Sequence, residues 1–307
     1  MPARVIPLLH AGAPLHHLWM AWVWPPGIVV SLAAAAVLYA RGLRLLWDEH
    51  VGRGIRVWEA ACFLAGWIAA ALALLSPLHA LSEQLFVAHM LQHELLMVVA
   101  APLLVLGRPL VPSLWALPSP ARRRIGAVTR RPRVRAVWRA LTTPTVAFVI
   151  HGAAIWIWHA PPLFQATLEN EAVHAAQHAS FIGTALLFWW TIVQARGPGG
   201  RSRSSGFGVA VLLLFATTLH TGALGALLTF SRTLWYPAYA SAAAAWGLTP
   251  FEDQQLAGLL MWIPASVAYL VAALLLFASW LTESERRVHD AELARVTERV
   301  RASEEWS

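Results

Sequence analysis

The feature that most constrains this chain is a series of seven apolar runs, each close to the roughly 20 residues an α-helix needs to cross a hydrocarbon layer about 30 Å thick. They are Pro26 to Leu46, Val57 to Leu75, Ser82 to Leu106, Thr143 to Trp158, Glu171 to Gln194, Gly206 to Phe230 and Asp253 to Leu281, the fourth being the shortest. Inside lipid a backbone must satisfy its own polar groups, so runs of this kind predict an all-α fold: a polytopic membrane bundle of about seven helices. Composition agrees, because 58% of residues are hydrophobic and 13% charged, against about 25% charged in ordinary soluble domains. A soluble globular domain and a disordered chain are both excluded. The reading divides the chain into an outer tail at 1–25, which lacks a signal-peptide cleavage pattern, a membrane domain at 26–281 and a charged cytoplasmic helical tail at 282–307.

Orientation follows from arginine. All 23 basic residues are Arg, and together with 16 acids they set a net charge of +7. The first connection holds Arg41, Arg44, Arg53 and Arg56, the third holds nine Arg from Arg108 to Arg139, and the fifth holds Arg196, Arg201 and Arg203. Five more follow Leu281, leaving only Arg4 and Arg232 on the other side. Short cytoplasmic loops retain Arg, so the N-terminus is expected outside and the C-terminus inside. The charge is thereby explained by topology and does not call for nucleic acid. Within the basic loop 107–142, the stretch Arg133 to Leu141 suits an amphipathic helix on the lipid surface.

Histidine carries the chemistry. Ionisable residues in membrane helices are costly and face a bundle interior or cavity. Of 13 His, His50 and His289 fall on the cytoplasmic side and His10, His16, His17 and His79 in outer segments. His89, His93, His151, His159, His174, His178 and His220 lie within or at the ends of helices. Counting inward at about 1.5 Å per residue puts His159, His174 and Asp253 near the outer rim and His89 and His178 roughly 10 Å down. His93, His151, His220 and Met261 come out at roughly 13 to 16 Å, which makes the three His the expected inner ligands. A lone intramembrane His is more often a helix-to-helix hydrogen bonder; seven converging by depth point to metal.

Two motifs sharpen this, His89-Met90-Leu91-Gln92-His93 and His174-Ala175-Ala176-Gln177-His178, both HxxQH. Residues four apart share a helical face, so each motif presents two imidazoles together. A metallohydrolase of the inverted zinc type needs HxxEH, and Gln supplies no base. Imidazoles with thioethers of Met90, Met97 or Met261 suit copper; zinc also accepts imidazole, and paired His on different helices would serve b-type haem iron. Each Met taken alone is more often core filling than a ligand, and Asp253 can equally cap a helix. Glu94 and Asp253 are candidates to orient ligands or draw a cation to the mouth. The one cysteine, Cys62, excludes a thiolate cage or internal disulfide.

In their order, these blocks resemble the membrane assembly-factor family CtaG, associated with caa-type cytochrome c oxidase. The resemblance runs from about Leu75 to Leu281. It rests on the first HxxQH followed by Ala101 to Gly107, on Trp158-His159-Ala160-Pro161-Pro162-Leu163-Phe164, and on the second HxxQH leading to Leu187-Phe188-Trp189-Trp190. His220 to Phe230, Gly247 to Pro250 and Asp253 to Trp262 complete it. It implies a multi-pass protein of the bacterial plasma membrane that helps mature a haem-copper oxidase by handling copper, without turning over a substrate. The implied partners are oxidase subunits, a periplasmic or extracellular copper donor, and membrane lipid. Rival readings are a b-type haem protein, a copper transporter and a metal-free scaffold.

Overall fold

The computed structural model describes residues 20–194 and 204–304. His10, His16, His17 and Arg4 of the outer tail, and Arg196, Arg201 and Arg203 of the fifth connection, lie outside the described residues. Among the described residues the regular structure is entirely helical. The first two runs form α1 (Pro26–Trp47) and α2 (Val57–Leu75). Pro26 opens α1 at a position whose N–H has no intrahelical partner to lose.

The third run starts later than expected. Ser82 belongs to a separate short helix, α3 (Pro77–Ser82), and the membrane segment begins at Phe86. It comprises α4 (Phe86–Glu94), a π-helical segment (Leu95–Ala100) and α5 (Ala101–Leu106). Pro102 accounts for part of this wider winding. In the π register Ala101 N–H reaches Leu96 O, and the next donor, which would serve Met97 O, is Pro102, which has no N–H. The indole Nε1–H of buried Trp189 donates to Met97 O instead, at 3.0 Å.

The basic connection is helical rather than a loop: α6 (Leu110–Ala116), α7 (Ser119–Thr129) and α8 (Pro132–Leu141). It leads through a 65° bend into α9 (Pro144–Trp158). Then follow α10 (Pro161–Glu169), α11 (Glu171–Gln194), α12 (Ser204–Phe230), the four-residue α13 (Ala240–Ala243) and α14 (Pro250–Glu304). The seventh run and the tail are one helix of 55 residues.

Each expected run is therefore largely helical, and among the described residues five helices are long and apolar enough to cross a membrane: α1, α2, the α4–α5 unit, α12 and α14. Taking α8 and α9 as one bent span makes six. Two runs fall short for visible reasons. The 15 residues of α9 reach only about 22 Å, and α11 carries Glu171, His174, Gln177 and His178 in its first turns.

Burial is arranged as a lipid environment demands. Along α14 the exposed side chains Ile263, Val267, Leu270, Leu274, Phe277 and Leu281 recur every three or four residues, an outward apolar stripe. His89, Gln92, His93, His151, His159, Gln177 and His178 are buried. Helices α12 and α14 touch through glycines: a Cβ on Gly225 would stand 2.8 Å from Gly258 O, so only glycine permits this approach. At the Arg-rich end Tyr39 stacks on Phe63 at 3.6 Å and donates to Gly107 O at 2.9 Å. Buried Glu59 accepts from Arg56 N–H at 2.7 Å and pairs with Arg108 at 3.4 Å, tying α2 to the segment after α5.

Candidate metal centre

The end of the bundle away from that clamp is built around the N-termini of α4, α11 and α14. Asn170 starts α11, its Oδ1 accepting from Ala172 N at 2.9 Å and Val173 N at 3.2 Å. Helix α4 has no cap of its own, since Leu85 stands at that position. Its cap comes from α14: Asp253 Oδ2 accepts from Phe86 N at 2.8 Å and Oδ1 from Val87 N at 2.9 Å. A carboxylate over a helix N-terminus meets unpaired donors and the positive end of the helix dipole. Asp253, a sequence candidate for the metal rim, is thus occupied with both oxygens in joining two helices.

The two HxxQH motifs then face each other. One nitrogen each from His89, His174 and His178 lies within 4.8 Å of the other two. The rings of His89 and His93 stand 4.4 Å apart, as do those of His174 and His178. Across the helices His89 stacks on His174 at 5.2 Å, and His93 meets His178 at 5.4 Å. His93 also touches His159 at 6.1 Å and Phe181 at 4.6 Å. His159 lies just past the end of α9, yet its ring sits in the same cluster as His93, a full turn deeper than His89 by chain count. The depth count followed backbone positions, and a side chain at a helix end can reach back inward.

His151 and His220 form another group. His151 stacks on Phe188 at 5.4 Å, His220 lies 5.6 Å from Phe148, and a Cβ on Gly152 would stand 3.5 Å from His220 Nε2. The ring neighbours of His93 are His89, His159, His178 and Phe181, so the expected inner trio of His93, His151 and His220 is split between the two groups. Equal depth did not bring these rings together because the helices are rotated differently. Met90, Met97 and Met261 are buried in the main apolar cluster with Phe86, Phe181 and Phe188.

Proton accounting shows which nitrogens are free to bind. Tyr239 Oη lies 3.1 Å from Ser82 O and 3.0 Å from His89 Nδ1. Ser82 O can only accept, so the single phenolic hydrogen goes there and Nδ1–H of His89 donates to the Tyr239 oxygen. Nε2 of His89 keeps its lone pair, with Gln177 Oε1 at 3.4 Å, too far for a good hydrogen bond. His159 Nδ1–H donates to Ile155 O at 2.7 Å, leaving Nε2 bare. Thr184 Oγ1 gives its hydrogen to Ser180 O at 2.8 Å and accepts from His151 Nδ1–H at 3.0 Å, again leaving Nε2 bare. Nε2 of His151, His159, His174 and His178 and both nitrogens of His93 and His220 are buried without a partner. Orphaned buried acceptors cost about 1–3 kcal/mol each, and a cation would relieve several at once. His89 and His159 are neutral imidazoles whose Nδ1–H is spent on a hydrogen bond, the form a metal takes, so the residues present fit an ion.

The sequence did not single out two members of this site. His79, on α3, stacks on His174 at 5.7 Å and accepts from Gln92 Nε2 at Nδ1, at 3.0 Å. Burial lowers its pKa, opposed in part by nearby Glu171. The same Gln92 amide donates to Ala73 O at 2.7 Å, so the motif glutamine locks α2, α3 and α4 together. Tyr239 is the other, held by a 3₁₀ turn at Pro237–Tyr239. Phe164 closes the cluster, 4.9 Å from His89 and 4.1 Å from Tyr236, whose hydroxyl donates to His159 O at 2.6 Å. Glu94 is buried with Oε2 unpartnered.

Residues 37–283 match the sequence profile of the cytochrome c oxidase caa3 assembly factor family. Uncharacterised proteins of Mycobacterium bovis and Mycobacterium tuberculosis are each 28% identical over 276 residues, covering 86% of this chain and 40% of their own length. One from Mycobacterium leprae is 24% identical over 246 residues, 78% of this chain and 36% of its own. The chain thus spans about two fifths of the length of these curated relatives. No solved structure matches it.

Proposed function

Because this chain belongs to the cytochrome c oxidase caa3 assembly factor family, we propose that it serves oxidase maturation as a copper carrier in the bacterial plasma membrane, without catalytic turnover. In this reading seven helices cross the bilayer, with α9 and α11 completing the five apolar spans, and the His cluster lies in the outer half. The Arg distribution supports that orientation. The observation that carries the reading is the triad of His89, His174 and His178, drawn from α4 and α11 and surrounded by unpartnered imidazole nitrogens.

Neutral nitrogen donors among phenylalanines favour the cuprous ion, whose single charge is cheaper to bury than the two of zinc. Copper would be cargo, received at the outer face from an extracellular donor and passed to an oxidase subunit. His93, Tyr239 and Gln177 would adjust the binding strength, while His79 and Gln92 would hold the triad from the outer side. Exposed Val134, Val137 and Trp138 beside Arg133, Arg135 and Arg139 suit α8 to an anionic lipid surface.

The test is the oxidase in a strain lacking this protein. Oxidase polypeptide and haem should persist while copper content and activity fall, and a His174→Ala/His178→Ala variant should reproduce the defect although it inserts normally. Fully copper-loaded oxidase in that variant would reject the carrier reading in favour of a metal-free scaffold.

A further inference from the structure

The geometry points to two ion positions in the histidine array: the outer triad of His89, His174 and His178, and a second position between His93 and His159. This rests on the copper-carrier reading. The triad uses one nitrogen from each of its members. His93 stands beyond it, its ring 4.4 Å from His89 and 5.4 Å from His178, and neither of its nitrogens has a partner. Across from it at 6.1 Å is His159, whose Nδ1–H is spent on Ile155 O and whose Nε2 is likewise buried and unpartnered. Each of the two residues is only 1% exposed.

The walls say what such a position takes. Phe181 lies 4.6 Å from His93 and 5.9 Å from His159, and Phe164 lies 6.2 Å from His159. Two neutral nitrogen donors between aromatic rings suit a soft monovalent ion of low coordination number, the cuprous ion, and suit a divalent ion poorly. His93 touches members of both positions, so an ion can step from the triad inward without passing through hydrocarbon. The same Tyr236 hydroxyl that donates to His159 O at 2.6 Å holds the inner position against the outer turn.

The experiment is anaerobic titration of the purified full-length protein with cuprous ion against a competing chelator, with X-ray absorption at the copper edge. Wild type should bind about two ions per chain, as a triad and a two-donor position can hold. His159→Phe and His93→Phe should each lose the second ion and keep the first, bound by about three nitrogen neighbours. His174→Ala/His178→Ala should lose the outer ion and keep one with fewer nitrogen neighbours. Size-exclusion profile and helical content of the variants establish that they fold. A single wild-type ion that survives His159→Phe and His93→Phe but not the triad variant would overturn the inner position alone, leaving water to satisfy His93 and His159. No copper bound by folded wild type would overturn the carrier reading and this inference together.

Discussion

At His89 the tautomer is set by Tyr239, 150 residues away in the chain and 3.0 Å away in space. Its hydroxyl donates to Ser82 O and accepts from His89 Nδ1–H, which leaves Nε2 as the nitrogen with a lone pair to offer. Tyr239→Phe should therefore weaken copper binding by about 10- to 100-fold, the usual effect of losing such an outer partner, while stoichiometry and helical content stay unchanged. Chelator competition measures it. An unchanged affinity would mean that the phenol serves packing alone. The HxxQH pairs themselves were legible, because a four-residue spacing on a helix dictates a shared face. The role of their glutamines was not: the sequence showed only that Gln92 and Gln177 cannot act as bases, and the structure puts one on His79 and the other beside His89. His79 was legible as an outer-segment residue, but not as a neighbour of His174, because nothing local says which helix the α3 side chains meet.

Among the elements, α4 depends on a cap supplied by another helix. Removing the Asp253 carboxylate leaves the Phe86 and Val87 N–H groups without acceptors at a buried helix start. Asp253→Ala should lower stability by about 2 kcal/mol or more and leave copper stoichiometry intact. Thermal unfolding in detergent and metal analysis check the two halves separately. A folded variant that has lost an ion would instead make Asp253 a ligand. The π-helical segment makes a similar point about context. Pro102 is visible in the sequence, but the donor that compensates for it, Trp189, sits on a helix 87 residues later in the chain. Trp189→Phe keeps the ring and removes the donor, so it should destabilise the protein by about 1–3 kcal/mol without moving the copper affinity of the triad. Denaturation midpoints and chelator competition read the two effects.

For the whole molecule the decisive quantity is orientation. In a Cys62→Ser background, Ser241→Cys, at the exposed position of α13, should react with an impermeant thiol reagent in intact cells, and Ala127→Cys, exposed on α7, only after permeabilisation. The reverse pattern would place the His cluster on the cytoplasmic side and remove the route from an external copper donor. The sequence by itself determined the helical class, the apolar segments, the Arg asymmetry and the two paired-imidazole motifs, since all of these follow from length, composition and spacing along one helix. Tertiary structure decided which imidazoles meet. Which helix faces meet, and where the turn at Pro237–Tyr239 lies, depend on close contacts between distant segments, such as Gly225 against Gly258 and Asp253 on the α4 terminus. That is why His93 joins His159 rather than His151 and His220: depth is a property of one helix, whereas facing is a property of two.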